Sequence, residues 1–231
     1  MPEPDDRNES ARFQAWDWVE LSHVITGGMI TYPGLPAPEI TPHLTREASR
    51  DIYAAGTEFA IDRISMVGNT GTYLDSPFHR YADGEDLSAL ELKRLAGLPG
   101  LVVQATDRQA VDAALFAGLD VRGRAVLVHT GWSRHWRTEA YFEDHPFLTE
   151  AAARLLVERG AVLVGIDSHN IDDTRGNARP VHSRLLGAGV LIVEHMRGLD
   201  ALPNEGFRFY ATPPRIRAFG TFPVRAFAQL D

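Results

Sequence analysis

The chain has 231 residues, 44% of them hydrophobic, enough to close one domain around a proper core. A formal charge of -8 leaves no Lys/Arg stripe to displace counterions from a phosphate backbone, so no nucleic acid is expected as a partner. Cysteine is absent, which removes disulfides, thiolate metal sites and cysteine nucleophiles, and any metal must be held by His, Asp or Glu.

Residues 1–15 are rich in Pro, Asp, Glu and Arg and lack an apolar period, so a flexible tail is expected, followed by one domain over 16–231. Met1 to Arg12 has neither the basic start nor the apolar run of a signal peptide. No apolar stretch approaches the roughly 20 residues of a membrane span. The expected setting is the cytoplasm, with no membrane partner.

Ile30 to Pro36 holds two prolines and a glycine around Tyr32, which predicts an irregular segment carrying an aromatic side chain. Between Glu58 and Val67, apolar residues alternate with polar ones (Phe59, Ile61, Ile64, Met66), as in a strand with one buried face ending at the turn Gly68-Asn69-Thr70-Gly71. Leu101 to Ala105 reads as a buried strand and Arg108 to Ala117 has helical spacing closed by Gly118. Ala125 to His129 is another apolar run, and Thr149 caps a helix over Thr149–Arg159 with Gly160 just past its end. Ala161 to Ile166 and Gly189 to Val193 repeat the buried-strand pattern. Strand, helix and strand alternate here, which predicts an α/β fold, a single-domain mixed sheet with flanking helices and parallel strands in its second half. Ligands gather beyond the carboxyl ends of such strands, where Asp167 and Glu194 fall.

Asn69 to His79 is the densest cluster of special residues. Gly71 permits a turn closed to other residues and Pro77 blocks helix continuation, so Asp75 and His79 are expected on a rigid loop. A second cluster is Pro180-Val181-His182 with Glu194 at the end of an apolar strand, where a carboxylate loses hydration and must find a cation, a metal or a proton. An arginine or histidine partner for Glu194 is the purely structural alternative. His129 is more often a satisfied structural residue than a pocket wall, and His169 stands out weakly as a substrate contact because its loop follows a core strand. No G-x-S-x-G, P-loop, G-x-G-x-x-G or H-E-x-x-H motif occurs.

In these residues the chain resembles the cyclase family, which includes kynurenine formamidases and isatin hydrolases. The family signature H-x-G-T-H-x-D-x-P-x-H is matched here by Gly71, Thr72, Asp75, Pro77 and His79, whereas Asn69 and Tyr73 stand in place of its first two histidines. Tyr32-Pro33-Gly34, Thr130-Gly131-Trp132, Gly165-Ile166-Asp167-Ser168, and His182 followed by Glu194 are similar to further family segments in the same order. The resemblance implies a swivelling β/β/α-like fold and hydrolysis of a small aryl formamide or cyclic amide of the N-formylkynurenine kind. It also implies a homodimer or homotetramer, for which Phe222 to Phe227 is a candidate interface.

In two-metal members, the resemblance implies, the two signature histidines and the aspartate hold one ion, and the aspartate, distal histidine and distal glutamate hold the other. Amide and phenol are poor replacements for imidazole, so the first site should be lost or weakened here. One divalent ion, zinc or manganese, is then expected on Asp75, His182 and Glu194, with His79 as the base. Asn69 and Tyr73 would donate hydrogen bonds to the substrate, and Tyr32 and Trp132 would line its pocket. The competing expectation is a metal-poor relative that binds a small molecule without turnover.

Overall fold

The computed structural model describes residues 17–231, so the expected tail over 1–15 and the start of the fold at Trp16 lie outside the described residues. The first elements are β1 (Trp18–Glu20), β2 (Glu39–Leu44), α1 (Arg46–Ser49), β3 (Ile61–Ser65) and β4 (Tyr73–Asp75). After them come β5 (Ala96–Gln104), β6 (Ala110–Val111), β7 (Ala125–His129), β8 (Phe147–Leu148) and α2 (Glu150–Glu158). The chain closes with β9 (Leu163–Ile166), α3 (Pro180–Gly187), β10 (Leu191–Glu194), β11 (Phe207–Tyr210), β12 (Thr221–Pro223) and β13 (Phe227–Leu230).

One nine-stranded sheet dominates, in the order β1-β13-β11-β5-β7-β9-β10-β4-β12. Its centre, β5-β7-β9-β10, is parallel and its flanks are antiparallel. The expected α/β mixed sheet is therefore what forms. The central strands are apolar on both faces because each face is covered. Leu127, Leu163, Leu191 and Val193 join Met196, Phe207 and Phe209 on one side. Val126, Val128, Val164, Ile166 and Ile192 pack with Leu156 of α2 and Leu185 of α3 on the other. Each such side chain contributes about 1.5–3 kcal/mol on burial, so the two layers hold the strand ends in place.

The helix read at 149–159 is present: the Thr149 side chain accepts from Ala152 N, and Gly160 takes a positive φ of 80° beyond the last turn. Three other expectations need correction. Residues 108–117 form no helix, because Ala110–Val111 pairs in parallel with Phe147–Leu148 and only a single tight turn, Ala113–Phe116, follows. Asp112 ends that pairing, its carboxylate accepting from Ala113 N and from Thr149 Oγ1. Residues 61–65 do form a strand, but they pair with β2 in a separate two-stranded ribbon whose face is not buried: Ile40, Ile61 and Ile64 are all exposed. An alternating pattern reports a face that avoids water, and here no element of the described chain covers it. Finally, within Phe222 to Phe227, Val224 and Ala226 are buried, Phe222 packs against the same cluster and Arg225 is exposed, so two of the six residues offered for an interface belong to the core.

At the end of the sheet, β4 lies between β10 and β12. Asp75 is opposite Ile192 on one side and Thr221 on the other, while Tyr73 is opposite Glu194 and Pro223. This register carries residues from three distant parts of the chain to one place.

Candidate metal centre

Asp75 is fully buried on β4. Its Oδ1 accepts a hydrogen bond from the Thr221 hydroxyl across the strand pair. Its Oδ2 is buried with no hydrogen-bond partner among the described residues. An ionised oxygen in that position is costly unless a cation meets it.

His79 ends the short turn Pro77–His79, which Pro77 opens at a position where its missing N–H costs nothing. The turn is pressed against Gly220: a Cβ there would stand 2.4 Å from His79 N. Thr221 has one hydroxyl proton and gives it to Asp75, so its lone pair accepts His79 Nδ1–H at 2.7 Å. The network thereby assigns the proton to Nδ1 and leaves His79 Nε2 bare.

His182 lies in the first turn of α3. Asp172 accepts from Val181 N (2.7 Å), His182 N (3.0 Å) and His182 Nδ1 (2.7 Å), so one carboxylate both starts the helix and orients the imidazole. His182 Nε2 faces inward, 3.7 Å from Asp75 Oδ2 and 3.7 Å from Glu194 Oε1. Burial works against a charge on His182, but Glu194, Asp172 and Asp75 outweigh it and raise its pKa to about 10. In the ion-free protein a proton on this ring balances the carboxylates.

Glu194 is buried at the end of β10, as the strand pattern suggested. Among the described residues no arginine meets it. Oε1 accepts from Ile171 N at 2.6 Å and Oε2 from the Tyr73 hydroxyl at 2.7 Å. Burial raises its pKa to about 7, with Asp75 adding to the rise and His182 and the hydrogen bonds opposing it.

Ligand atoms of Asp75, His79 and His182 all lie within 4.8 Å of one another. Donors about 2.0–2.2 Å from a tetrahedral ion are themselves roughly 3.3–3.6 Å apart, so the set is close to what an ion requires. The orphaned Asp75 Oδ2 and the two histidines held by their Nδ1–H groups supply the acceptors, and the residues fit a divalent ion. The sequence placed Glu194 on the ion and His79 beside it. Ligand atoms of Asp75, His79 and His182 converge, and Glu194 Oε1 lies 3.7 Å from His182 Nε2 while it accepts from Ile171 N.

Tyr73 fills the position of a signature histidine with a buried phenol. Burial, then Glu194 and Asp75, push its pKa well above the ordinary value, so it stays neutral and donates. His195 Nε2 lies 3.3 Å from the Tyr73 oxygen, and Tyr141 OH lies 2.9 Å from His195 Nδ1. Burial lowers the His195 pKa well below the usual value, so its single proton goes to Nε2 and all three bonds run in one direction, Tyr141 to His195 to Tyr73 to Glu194. His195 holds a φ of 54°, a left-handed conformation rare outside glycine, which this chain of bonds sustains.

The centre opens into a cleft of about 820 Å³ lined by Tyr32, Asn69, Tyr73, His79, His182 and Glu194 among others. Trp132 is not in that lining. Its Nε1 donates to Tyr141 O at 3.0 Å, so it braces the tyrosine behind the site, contrary to the expected place on the pocket wall. His169 is buried against the Tyr32 ring, centroids 4.5 Å apart, and its Nδ1 has no partner. His129 bonds Gln104 at 2.7 Å away from the cleft. Sequence reasoning missed Asp172, Thr221 and His195. Only Asp172 had a signal, being an acid on the loop after a core strand. Thr221 was invisible because its partner is 146 positions away.

Comparison with known proteins agrees with this architecture. The family model described as "Putative cyclase" matches residues 19–173. A kynurenine formamidase of Bacillus cytotoxicus is 24% identical over 214 residues, 92% of this chain and 97% of its own length. A solved structure described as a potential metal-dependent hydrolase with cyclase activity superposes with a TM-score of 0.77 at 27% identity, covering 94% of this chain and 99% of that one. Isatin hydrolase A from Labrenzia aggregata superposes with a TM-score of 0.78 at 22% identity, covering 93% and 94%, and shares the fold.

Proposed function

The chain belongs to the cyclase family, and we propose that it hydrolyses the amide bond of a small aryl formamide or cyclic aryl amide, resembling N-formylkynurenine, with one divalent ion, zinc or manganese. The observation that carries this reading is Asp75 Oδ2, a buried carboxylate oxygen without a partner, set 3.7 Å from His182 Nε2. The names of the kynurenine formamidase and isatin hydrolase relatives support the substrate class.

Asp75, His79 and His182 would hold the ion. When bound, it supplies Lewis acidity, polarising an amide carbonyl and making water a stronger acid. Glu194 takes a proton from the attacking water at Oε1 and returns it to the leaving nitrogen, the task of a carboxylate whose pKa lies near 7. Tyr73 holds the other Glu194 oxygen, so the proton returns from a fixed position. Asn69 lines the cleft beside Tyr73, where an amide N–H aimed at the developing oxyanion would be worth roughly 3 kcal/mol. Tyr32 forms an aromatic wall for the aryl group. Water and the formamide thus become formate and an arylamine.

A second reading has one observation in its favour. Tyr73 and Asn69 replace two imidazoles, and the Tyr73 phenol is already committed to Glu194 at 2.7 Å, as in a relative that binds small molecules without turnover. Elemental analysis of the purified protein followed by formanilide hydrolysis, with and without chelator, separates the two. One equivalent of metal and chelator-sensitive release of aniline support the hydrolase, whereas metal-free protein inert after reconstitution supports the binder.

A further inference from the structure

We propose that His195 is a positioning residue: its Nε2–H turns the Tyr73 hydroxyl toward Glu194 Oε2 and so reserves Oε1 for the proton transfer. For the reaction itself this rests on the hydrolase reading.

A phenol has a single proton, which can point to either side of its ring, and an oxygen that accepts as well as donates. Tyr73 brings such a rotor into the lining of the cleft. Glu194 Oε2 lies 2.7 Å from its hydroxyl oxygen and His195 Nε2 lies 3.3 Å from it. A bare Nε2 would compete with Glu194 for the phenol proton, whereas a protonated Nε2 leaves Glu194 as the acceptor. Tyr141 decides between them. Its buried hydroxyl has His195 Nδ1, at 2.9 Å, as its acceptor and no other among the described residues. A buried O–H left unmet is costly, so Nδ1 accepts and the imidazole proton stays on Nε2.

The surroundings of His195 fix this arrangement. The ring is fully buried, with the rings of Trp136, Tyr141 and His169 at centroid distances of 5.7, 5.8 and 5.7 Å. The main chain is pinned as well: the His195 carbonyl accepts from Thr72 Oγ1 at 2.6 Å, while φ stands at 54°. A left-handed residue other than glycine persists only where its neighbours over-determine it, and such residues gather at functional sites. His195 is absent from the cleft lining, so it reaches the chemistry through Tyr73 alone.

The test uses zinc-reconstituted protein and formanilide turnover in the wild type, His195→Phe, His195→Gln, Tyr73→Phe and the His195→Phe/Tyr73→Phe double variant. Phenylalanine keeps a ring without nitrogens. Glutamine keeps an N–H donor where Nε2 stands, but it cannot pass a proton by changing tautomer. His195→Phe should lower kcat at least tenfold with KM changed less than threefold and zinc content intact. His195→Gln should regain at least threefold of that loss. Added to Tyr73→Phe, the His195→Phe change should alter kcat less than twofold, because the group it acts through is already gone. Full activity in His195→Phe overturns the proposal, as does a glutamine variant no faster than phenylalanine, or a His195→Phe loss undiminished in the Tyr73→Phe background. Long-range proton–nitrogen NMR of histidine-labelled wild type, with the signal assigned by its absence from His195→Gln, needs no turnover. It should show His195 as the neutral Nε2–H tautomer at neutral pH; an Nδ1–H tautomer or an imidazolium overturns the proposal even where His195→Phe does not fold. If the wild type leaves formanilide intact while the Nε2–H tautomer is present, the hydrolase reading fails and the orientation of Tyr73 by His195 stands.

Discussion

Tyr73 and Glu194 face each other across the antiparallel pair β4 and β10, and the buried phenol donates to Glu194 Oε2 at 2.7 Å. That bond lowers the Glu194 pKa against the rise that burial causes. Tyr73→Phe should therefore move the acid limb of the kcat/KM profile to higher pH. It should also destabilise the fold by about 1–3 kcal/mol, the cost of a buried acceptor left unmet, as read by urea denaturation. An unmoved limb would detach Glu194 from the proton transfer.

The replaced histidines set the number of ions. Wild-type protein should bind one equivalent of zinc or manganese, and Asp75→Ala or His182→Ala should bring bound metal close to zero by elemental analysis. Asn69→His combined with Tyr73→His should raise the stoichiometry toward two. A full equivalent retained by Asp75→Ala would remove the proposed centre.

Stability should fall with rising pH in the metal-free protein and lose most of that dependence when metal is bound. The folded-state pKa values of His182 and Glu194 are raised, to about 10 and about 7, above their ordinary values of 6.5 and 4.5. The folded chain then binds more protons than the unfolded one, so its stability falls as pH rises: through about 4.5–7 because of Glu194, and through about 6.5–10 because of His182. Metal displaces the His182 proton, so affinity should climb by up to tenfold per pH unit below about 10. Thermal melts of chelated and reconstituted protein from pH 6 to 9 should diverge, with the chelated form losing Tm.

Thr221→Val keeps the shape of the side chain but removes the hydroxyl that joins Asp75 to His79 Nδ1. Outer partners of metal ligands are typically worth about 10–100-fold in affinity. A loss of that size by calorimetry, restored by Thr221→Ser, is expected.

Gly220→Ala places a methyl group 2.4 Å from His79 N, and both neighbours there are backbone. The turn must shift, so the variant should lose metal affinity along with stability. A native-like Tm with full metal binding would show that the turn has more room than its packing indicates.

Much of the fold was legible because its central strands carry their own pattern. Ala125–His129, Leu163–Ile166 and Leu191–Glu194 are short apolar runs bounded by glycine or polar residues, and Thr149 and Gly160 mark both ends of α2. Residues 108–117 misled because a period of three to four residues does not reveal that Ala110–Val111 has a strand partner 37 positions away. At the site, Asp75, His79, His182 and Glu194 were visible as residue types that need company. Their hydrogen-bond partners were not, because these depend on which oxygen meets Ile171 N, Tyr73 OH or Thr221 Oγ1.

Thr221 sits on the strand that closes one edge of the sheet, long after Asp75 has been synthesised. During translation the aspartate, its two histidines and the distal glutamate all leave the ribosome before the hydroxyl that aligns them. A growing chain accordingly carries Asp75 and His79 without the hydroxyl that joins them until β12 has been made.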